Sequence, residues 1–299
     1  MTIGALVYAS PVSANSEVVH GSKPKAAHGS RPTRTKNLSF HGGSIGVQTA
    51  PKVYLVTWSW GGSDPSGEEA YYTNFLNGVG GSAWNNSDTQ YCENVPSGTT
   101  NCANYPSAPR GGNPANILAG VWDDIVNSAP SQPTQSQLAA EAVRAASHFG
   151  NTSSASNVTT QYIIATAHGK SSSGFGTQYC AWHSSTSSAY GNLAYTNLPY
   201  ITDAGASCGQ NFVNGGSAGN LDGVSIVGGH EMAETESDPF PNSGWLDSGG
   251  AENGDKCAWI GSGQGASQNI SLSTGTFAVQ SLWSNAFNNN AGGCVVSYP

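Results

Sequence analysis

The sequence is short of positive charge, has no CxxC pair and contains no long apolar run. Ten Lys and Arg residues face 18 Asp and Glu residues in 299 positions, which gives a formal net charge of −8. Half of the basic residues precede residue 41, so the rest of the chain is more acidic still. Such a surface repels phosphate backbones and anionic lipids. No segment reaches the roughly 18 apolar residues of a membrane span. We therefore expect no nucleic-acid partner and no membrane contact.

The six cysteines form three sequential couples: Cys92 with Cys102, Cys180 with Cys208, and Cys257 with Cys294. Without a CxxC pair, a zinc site built from cysteines is disfavoured. An even count in a chain rich in neutral polar residues is typical of disulfides formed in an oxidising compartment. We predict nearest-neighbour pairing and a secreted, extracellular protein, with free thiols or a Cys metal site as the alternative.

The first 40 residues differ in composition from the rest of the chain. Residues 1–15 combine a short apolar stretch with small residues, which predicts the remnant of a signal peptide, although no basic segment precedes it. Residues 16–40 are polar and dotted with Pro, Lys and Arg, which predicts a disordered linker or pro-segment. The folded domain is expected over residues 41–299. We expect the protein to be a monomer.

The hydrophobic pattern predicts a mixed α/β domain with a β-rich C-terminal part. Strands are expected over residues 53–58, 158–167, 192–195, 198–201, 270–272 and 276–279, with 192–195 as a possible sheet edge. Helices are expected over residues 68–76, 116–126, 134–148 and 223–237, the third capped by Thr134 and the last by Asp222. Polar, Gly-rich loops are expected over residues 80–114 and 169–190.

The run His230-Glu231-Met-Ala-Glu234 carries the chemical argument. Residues four apart share one face of a helix, so His230 and Glu234 point the same way while Glu231 lies one step around. In HExxH metallopeptidases two histidines at this spacing hold zinc and the glutamate is the general base. A carboxylate is also an acceptable zinc ligand. The sequence therefore predicts His230 and Glu234 as metal ligands and Glu231 as the catalytic base, against the alternative of a helix with a solvated acidic face.

A further metal ligand is needed, and the acidic segment after the helix offers several. Glu252 is the predicted third ligand, with Asp238 and Asp255 as competitors. This segment is also compatible with a solvated turn or a calcium site. His183, close to Cys180, is predicted to complete the coordination or to stabilise an oxyanion. His168 follows the predicted strand 158–167. A functional role and a structural role are equally good interpretations of this histidine.

The order of these motifs resembles the phosphate-induced (EXORDIUM-like) family of secreted proteins. The similarity lies in the HEMAE run, Asp238-Pro239, Trp245 and the segment Glu252-x-x-Asp255-x-Cys257. Cys180-Ala-Trp-His183 is similar to a Cys-Gly-Phe-His segment of that family. The resemblance covers roughly residues 50–299 and implies a growth-related extracellular protein with a zincin-like motif.

Together these patterns predict a zincin-like, zinc-dependent endopeptidase acting on protein or peptide substrates. Calcium is a second metal that the acidic residues can accept. The alternatives are a non-catalytic extracellular binding protein stabilised by a metal, or a cell-wall glycoside hydrolase using Glu231 and another carboxylate. The only methionine after Met1 is Met232, so the Met-turn of the metzincin branch is excluded.

Overall fold

The computed structural model describes residues 21–25, 36–43, 45–241 and 243–298. Their helices are α1 (Glu68–Val79), α2 (Gln135–His148), α3 (Ser154–Asn157), α4 (Asp222–Ser237) and α5 (Phe287–Asn290). Their strands are β1 (Ser39–Phe40), β2 (Lys52–Trp58), β3 (Leu118–Asp124), β4 (Thr160–Thr166), β5 (Trp182–Ser188), β6 (Gly191–Leu198), β7 (Trp245–Leu246), β8 (Gln268–Leu272), β9 (Gly275–Val279), β10 (Leu282–Ser284) and β11 (Gly293–Val295). This mixture confirms the predicted α/β fold and its β-rich C-terminal part.

A five-stranded sheet forms the centre of the fold, with strand order β3-β2-β4-β6-β5. The first four strands are parallel, and β5 runs antiparallel to β6 at one edge. Every residue of β4 is buried, as expected for a central strand covered on both faces. The edge strand β5 carries His183, whose side chain is fully buried.

Two helical layers cover the sheet, and β4 supplies side chains alternately to each. Tyr162 and Ile164 pack in the cluster formed with α2. Ile163 and Ala165 pack in the cluster formed with α1 and α4. This alternation follows from the two-residue period of a strand. It places α4, with the HEMAE run, directly on one face of the sheet.

The helix α4 is buried along its whole length. It approaches α1 closely at Gly228, where an added Cβ would lie 2.5 Å from the ring of Tyr72. Asp222 belongs to the helix and does not cap it, because its carboxylate accepts hydrogen bonds from the backbone N–H groups of Val213 and Asn214. By contrast, Thr134 caps α2 as predicted, in a reciprocal capping box with Gln137.

Four further predictions of local structure are wrong. The helix expected over residues 116–126 is the strand β3, because pairing with β2 outweighs its helical spacing. The loop expected over 169–190 contains β5. Residues 198–201 hold the end of β6 and the start of a 3-10 helix, Ile201–Cys208, and β6 is an inner strand because β5 pairs on its outer side.

The C-terminal part consists of short antiparallel pairs, β8 with β9 and β10 with β11. The three predicted disulfides are all present: Cys92–Cys102, Cys180–Cys208 and Cys257–Cys294. They are consistent with a secreted protein. Among the described residues, no helix is long and apolar enough to cross a membrane.

The described parts of the predicted linker lie against the domain. Ser39 and Phe40 form β1 and pair with β7. The segment 21–25 contacts the 180–182 region through backbone hydrogen bonding. The predicted signal-peptide remnant, residues 1–15, lies outside the described residues, as do 16–20 and 26–35.

Candidate metal centre

The helix α4 brings His230 and Glu234 together as the four-residue spacing predicts. Nε2 of His230 lies 2.9 Å from Oε1 of Glu234, and both side chains are fully buried. Glu231 turns towards the sheet edge, where its Oε2 lies 3.3 Å from Nδ1 of His183. The helix therefore presents two potential ligands on one side and a further carboxylate beside them.

Two ligand groups share Glu234. The first consists of His183, Glu234 and Glu252, and the second of His230, Glu234 and Asp255. Nε2 of His183 lies 3.4 Å from Oε1 of Glu252, and Nε2 of His230 lies 3.8 Å from Oδ1 of Asp255. Oε1 of Glu234 faces His230, while its Oε2 lies 3.7 Å from His183. Either group can hold a metal ion, and the shared carboxylate makes them one centre.

The ring of His230 is oriented by Gln280. Nδ1 of His230 lies 3.1 Å from Oε1 of Gln280, whose amide nitrogen donates to the backbone oxygen of Gly254 at 2.8 Å. Because this amide oxygen can only accept, Nδ1 carries the hydrogen and the lone pair of Nε2 is left for a metal. Such a partner fixes the tautomer and orientation of a ligating histidine.

Gly254 lets the acidic loop pass close to the helix. A Cβ added there would lie 2.9 Å from Oε1 of Glu234 and 3.0 Å from the ring of His230. The φ angle of Gly254 is −72°, so the backbone does not itself require glycine. The close approach of the loop to the helix is what requires glycine. The same approach lets the backbone N–H of Asp255 donate to Glu234 at 2.8 Å.

The centre carries more negative than positive charge. Burial alone lowers the pKa of His230, but the neighbouring charges of Glu234, Glu231 and Asp255 outweigh it and raise the pKa to about 10. Burial also lowers the pKa of His183, but the neighbouring carboxylates of Glu252, Glu231 and Glu234 outweigh it and raise this pKa well above its usual value. Burial raises the pKa of Glu234. In the absence of a metal, protons thus compensate the crowded carboxylates, and a divalent cation would displace them.

A cleft of about 790 Å³ opens beside the centre. Asp255, Trp182, Tyr179 and Thr134 are among the residues that line it. The side chain of Asp255 is a quarter exposed, whereas the other members of the two ligand groups are buried. The group containing His230 therefore has a route to solvent.

The predicted site residues do not all converge. Glu252 and Asp255 both lie in ligand groups, and His183 joins them from β5. Asp238 belongs to neither group and accepts a hydrogen bond from Ser243 at the end of α4. His168 lies on the surface, 2.5 Å from Asp203.

Two residues of the centre had no sequence signal. Gln280 follows β9, about fifty positions after His230, and no motif marks it. Ser22 donates to Oε1 of Glu231 through both its backbone N–H and its hydroxyl, each at 2.9 Å. Ser22 belongs to a segment that was predicted to be a linker from its polar composition, dotted with Pro, Lys and Arg, and this composition gave no reason to place it in a site.

Neither a family model, nor a curated protein, nor a solved structure matches the chain. The resemblance to the phosphate-induced family therefore rests on the motifs alone, and the function must be argued from the centre itself.

Proposed function

We propose that this chain is a secreted, zinc-dependent, zincin-like hydrolase that cleaves peptide bonds. The observation that carries the proposal is the buried pair His230–Glu234, in which Gln280 contacts Nδ1 of His230 and beside which Asp255 lines a cleft. Imidazole and carboxylate donors suit zinc.

The residues around the pair fit general acid–base chemistry. A zinc ion held by His230 and Glu234 would supply a polarising charge and would lower the pKa of a nearby water molecule towards neutrality. Glu231 lies one helical step from the ligands. Its Oε2 faces His183, and its Oε1 accepts a hydrogen bond from the backbone N–H of Ser22. In this mechanism Glu231 accepts the proton of the attacking water and delivers it to the leaving amine.

His183 has two roles open to it. Its contact with Glu252 and Glu234 suits a metal ligand. Its contact with Glu231 suits a group that stabilises developing negative charge beside the base. In both roles it acts from β5, the edge strand beside which an extended peptide can lie.

One observation favours the alternative of a non-catalytic, metal-stabilised binding protein. His183, Glu234 and Glu252 are all fully buried, as is common for structural metal sites. The two proposals differ in whether the metal is needed for turnover or only for stability.

The proposal is tested by metal analysis together with peptide hydrolysis. We expect about one tightly held zinc per chain, casein hydrolysis that a chelator abolishes, and loss of both in His230→Ala. Asp238→Asn is the matched control, because Asp238 is equally buried but lies outside both ligand groups. Equal metal content in wild type and His230→Ala, or no metal in either, would contradict the proposal.

A further inference from the structure

A second group of polar side chains lies buried behind the metal centre, away from the proposed chemistry. Asn85 and Asp88 come from the 3-10 helix Asn85–Gln90, Glu236 from the last turn of α4, and Asn253 from the acidic loop. All four are at most 1 % exposed. Three separate elements thus contribute two amides and two carboxylates, which hydrogen bonds connect to one another and to α4.

Hydrogen bonds connect these four side chains in pairs. The amide nitrogen of Asn253 donates to Oδ1 of Asp88 at 2.5 Å, and that of Asn85 donates to Oε2 of Glu236 at 3.2 Å. Asn253 also reaches the backbone oxygen of Ala233 at 3.5 Å, which ties the loop to α4. In each pair the side-chain amide therefore donates from its nitrogen to a carboxylate, and the amide oxygen lies next to that nitrogen on the same planar amide group.

One oxygen of every member has no hydrogen-bond partner in the described part of the chain. These atoms are Oδ1 of Asn85, Oδ2 of Asp88, Oε1 of Glu236 and Oδ1 of Asn253. Across the described ranges, no Lys, Arg or His forms an ion pair with Asp88 or Glu236. Buried acceptors and charges left in this way are costly unless a cation, a proton or a buried water molecule satisfies them.

We propose that Asn85, Asp88, Glu236 and Asn253 bind a calcium ion. Carboxylate and amide oxygens are the donors that calcium prefers, and the group contains no nitrogen or sulfur donor that would select zinc. The ion joins the 3-10 helix, α4 and the acidic loop. It therefore fixes the loop that carries Glu252 and Asp255 against the helix that carries His230.

The test is a calcium titration of the melting temperature of the full chain. The protein is stripped with a chelator and measured at constant zinc, so that the His230 centre stays loaded throughout. We expect a rise in Tm of about 4 °C or more when calcium exceeds its Kd by about 100-fold. Asp88→Asn and Asn253→Leu should lose this rise. Glu69→Gln, which changes a partly exposed carboxylate of α1, should keep it.

The wild-type titration decides the proposal even if a variant fails to fold. No calcium-dependent rise in wild type would overturn it, and so would a full rise in Asp88→Asn. A Tm that responds to acid but not to calcium would mean that protons, and not a cation, neutralise Asp88 and Glu236.

A different observation carries a second inference, which rests on the proposed function. The segment 21–25 lies across Glu231 and the start of β5. Ser22 is 2 % exposed and directs two donors to Glu231. Its backbone oxygen accepts from the N–H of Cys180 at 2.7 Å, and its hydroxyl accepts from the N–H of Ala181 at 3.3 Å.

Neighbouring residues fix the same segment on both sides of Ser22. The indole of Trp259 donates to the backbone oxygen of Lys23 at 2.6 Å. Gly21 lies so close to the edge that an added Cβ would be 2.4 Å from the backbone oxygen of Ala181 and from Cβ of Trp182. Bonding of an extended chain to an exposed sheet edge is a general mode of peptide recognition.

We infer that residues 21–25 occupy the place of a peptide substrate and slow hydrolysis at the centre. They use the hydrogen-bonding groups next to β5 and the carboxylate of the proposed base. Release of the segment would free both. The sequence that follows contains Arg31 and Arg34, at which a protease of trypsin-like specificity can cut.

The test compares Gly21→Ala with Gly215→Ala in the full chain. Gly215 has no atom within 4 Å of an added Cβ, which makes it a matched control. Hydrogen exchange of the Ser22 and Cys180 amides reports docking, and hydrolysis of a peptide library with zinc present reports activity. We expect Gly21→Ala to lose amide protection and to gain about tenfold or more in hydrolysis, since the loss of two charge-assisted hydrogen bonds shifts the docked population by at least that factor.

Hydrogen exchange and peptide hydrolysis together separate the proposed inhibition by residues 21–25 from the proposed function of the centre. Faster exchange without faster hydrolysis, in a protein that does hydrolyse peptides, would refute inhibition and leave the proposed function in place. Unchanged exchange in Gly21→Ala would refute the docking. Full exposure of the segment with no hydrolysis in any variant would remove the proposed function, and inhibition with it.

Discussion

Replacing Gln280 by leucine should weaken metal binding without unfolding the protein. Leucine has a similar size but no hydrogen-bonding groups. The change removes the acceptor for Nδ1–H of His230 and the donor to the backbone oxygen of Gly254. Gln280 is 2 % exposed, so water cannot readily replace it. His230 then loses the partner that fixes its tautomer and its ring orientation.

The expected loss of metal affinity is about 10- to 100-fold, the range found when a partner of a ligating histidine is removed. This corresponds to roughly 1.4–2.7 kcal/mol of binding free energy. The unsatisfied Nδ1–H costs a further ~1–3 kcal/mol of stability if it stays buried without a partner. Both changes follow from the same contact.

Competition with a chromophoric chelator measures the zinc Kd of wild type, Gln280→Leu and a control, Gln268→Leu, whose side chain is exposed on β8. Circular dichroism verifies that each variant is folded. The same Kd in a folded Gln280→Leu and in wild type would refute the assignment of Nε2 of His230 as a metal ligand.

Two further predictions concern pH and the disulfides. Burial raises the pKa of Glu68 from 4.5 to about 7, so the folded state holds this proton more tightly than the unfolded state. Its contribution to stability should fall by about 3 kcal/mol as pH rises from 4.5 to 7, and melting curves should show a flatter pH dependence in Glu68→Gln; an identical slope would contradict the assignment. Thiol titration of the denatured, unreduced protein should find no free cysteine, and replacing Cys92 and Cys102 by serine should cost roughly 2–3 kcal/mol in a denaturant melt.

Periodicity predicted the elements whose local preference agrees with their tertiary environment. The capping box at Thr134 and the apolar run of β4 each point to the structure that forms. The strand β3 escaped prediction because its seven residues have helical spacing, and only the parallel pairing with β2 decides between the two forms. The polar β5 escaped because an edge strand of serines and threonines lacks a hydrophobic pattern.

The local part of the metal centre was predictable and its distant part was not. The spacing of His230 and Glu234 on a helix fixes their common side, so one motif suffices. Gln280 and Ser22 reach the centre only through tertiary contacts between segments far apart in the chain. Sequence spacing could not choose among Asp238, Glu252 and Asp255, since the choice depends on how the loop folds back over α4 at Gly254.

The central claim is that Glu231 acts as a base beside a metal held by Glu234. The most direct measurement compares zinc content, melting temperature and peptide hydrolysis for Glu231→Gln and Glu234→Gln. Each is made both in wild type and in Gly21→Ala, so that the docked segment does not hide activity. Glu231→Gln should keep the zinc and lose about 10²–10⁴-fold in rate, whereas Glu234→Gln should lose zinc as well. Full hydrolysis by Glu231→Gln, or unchanged zinc in Glu234→Gln, would contradict the account.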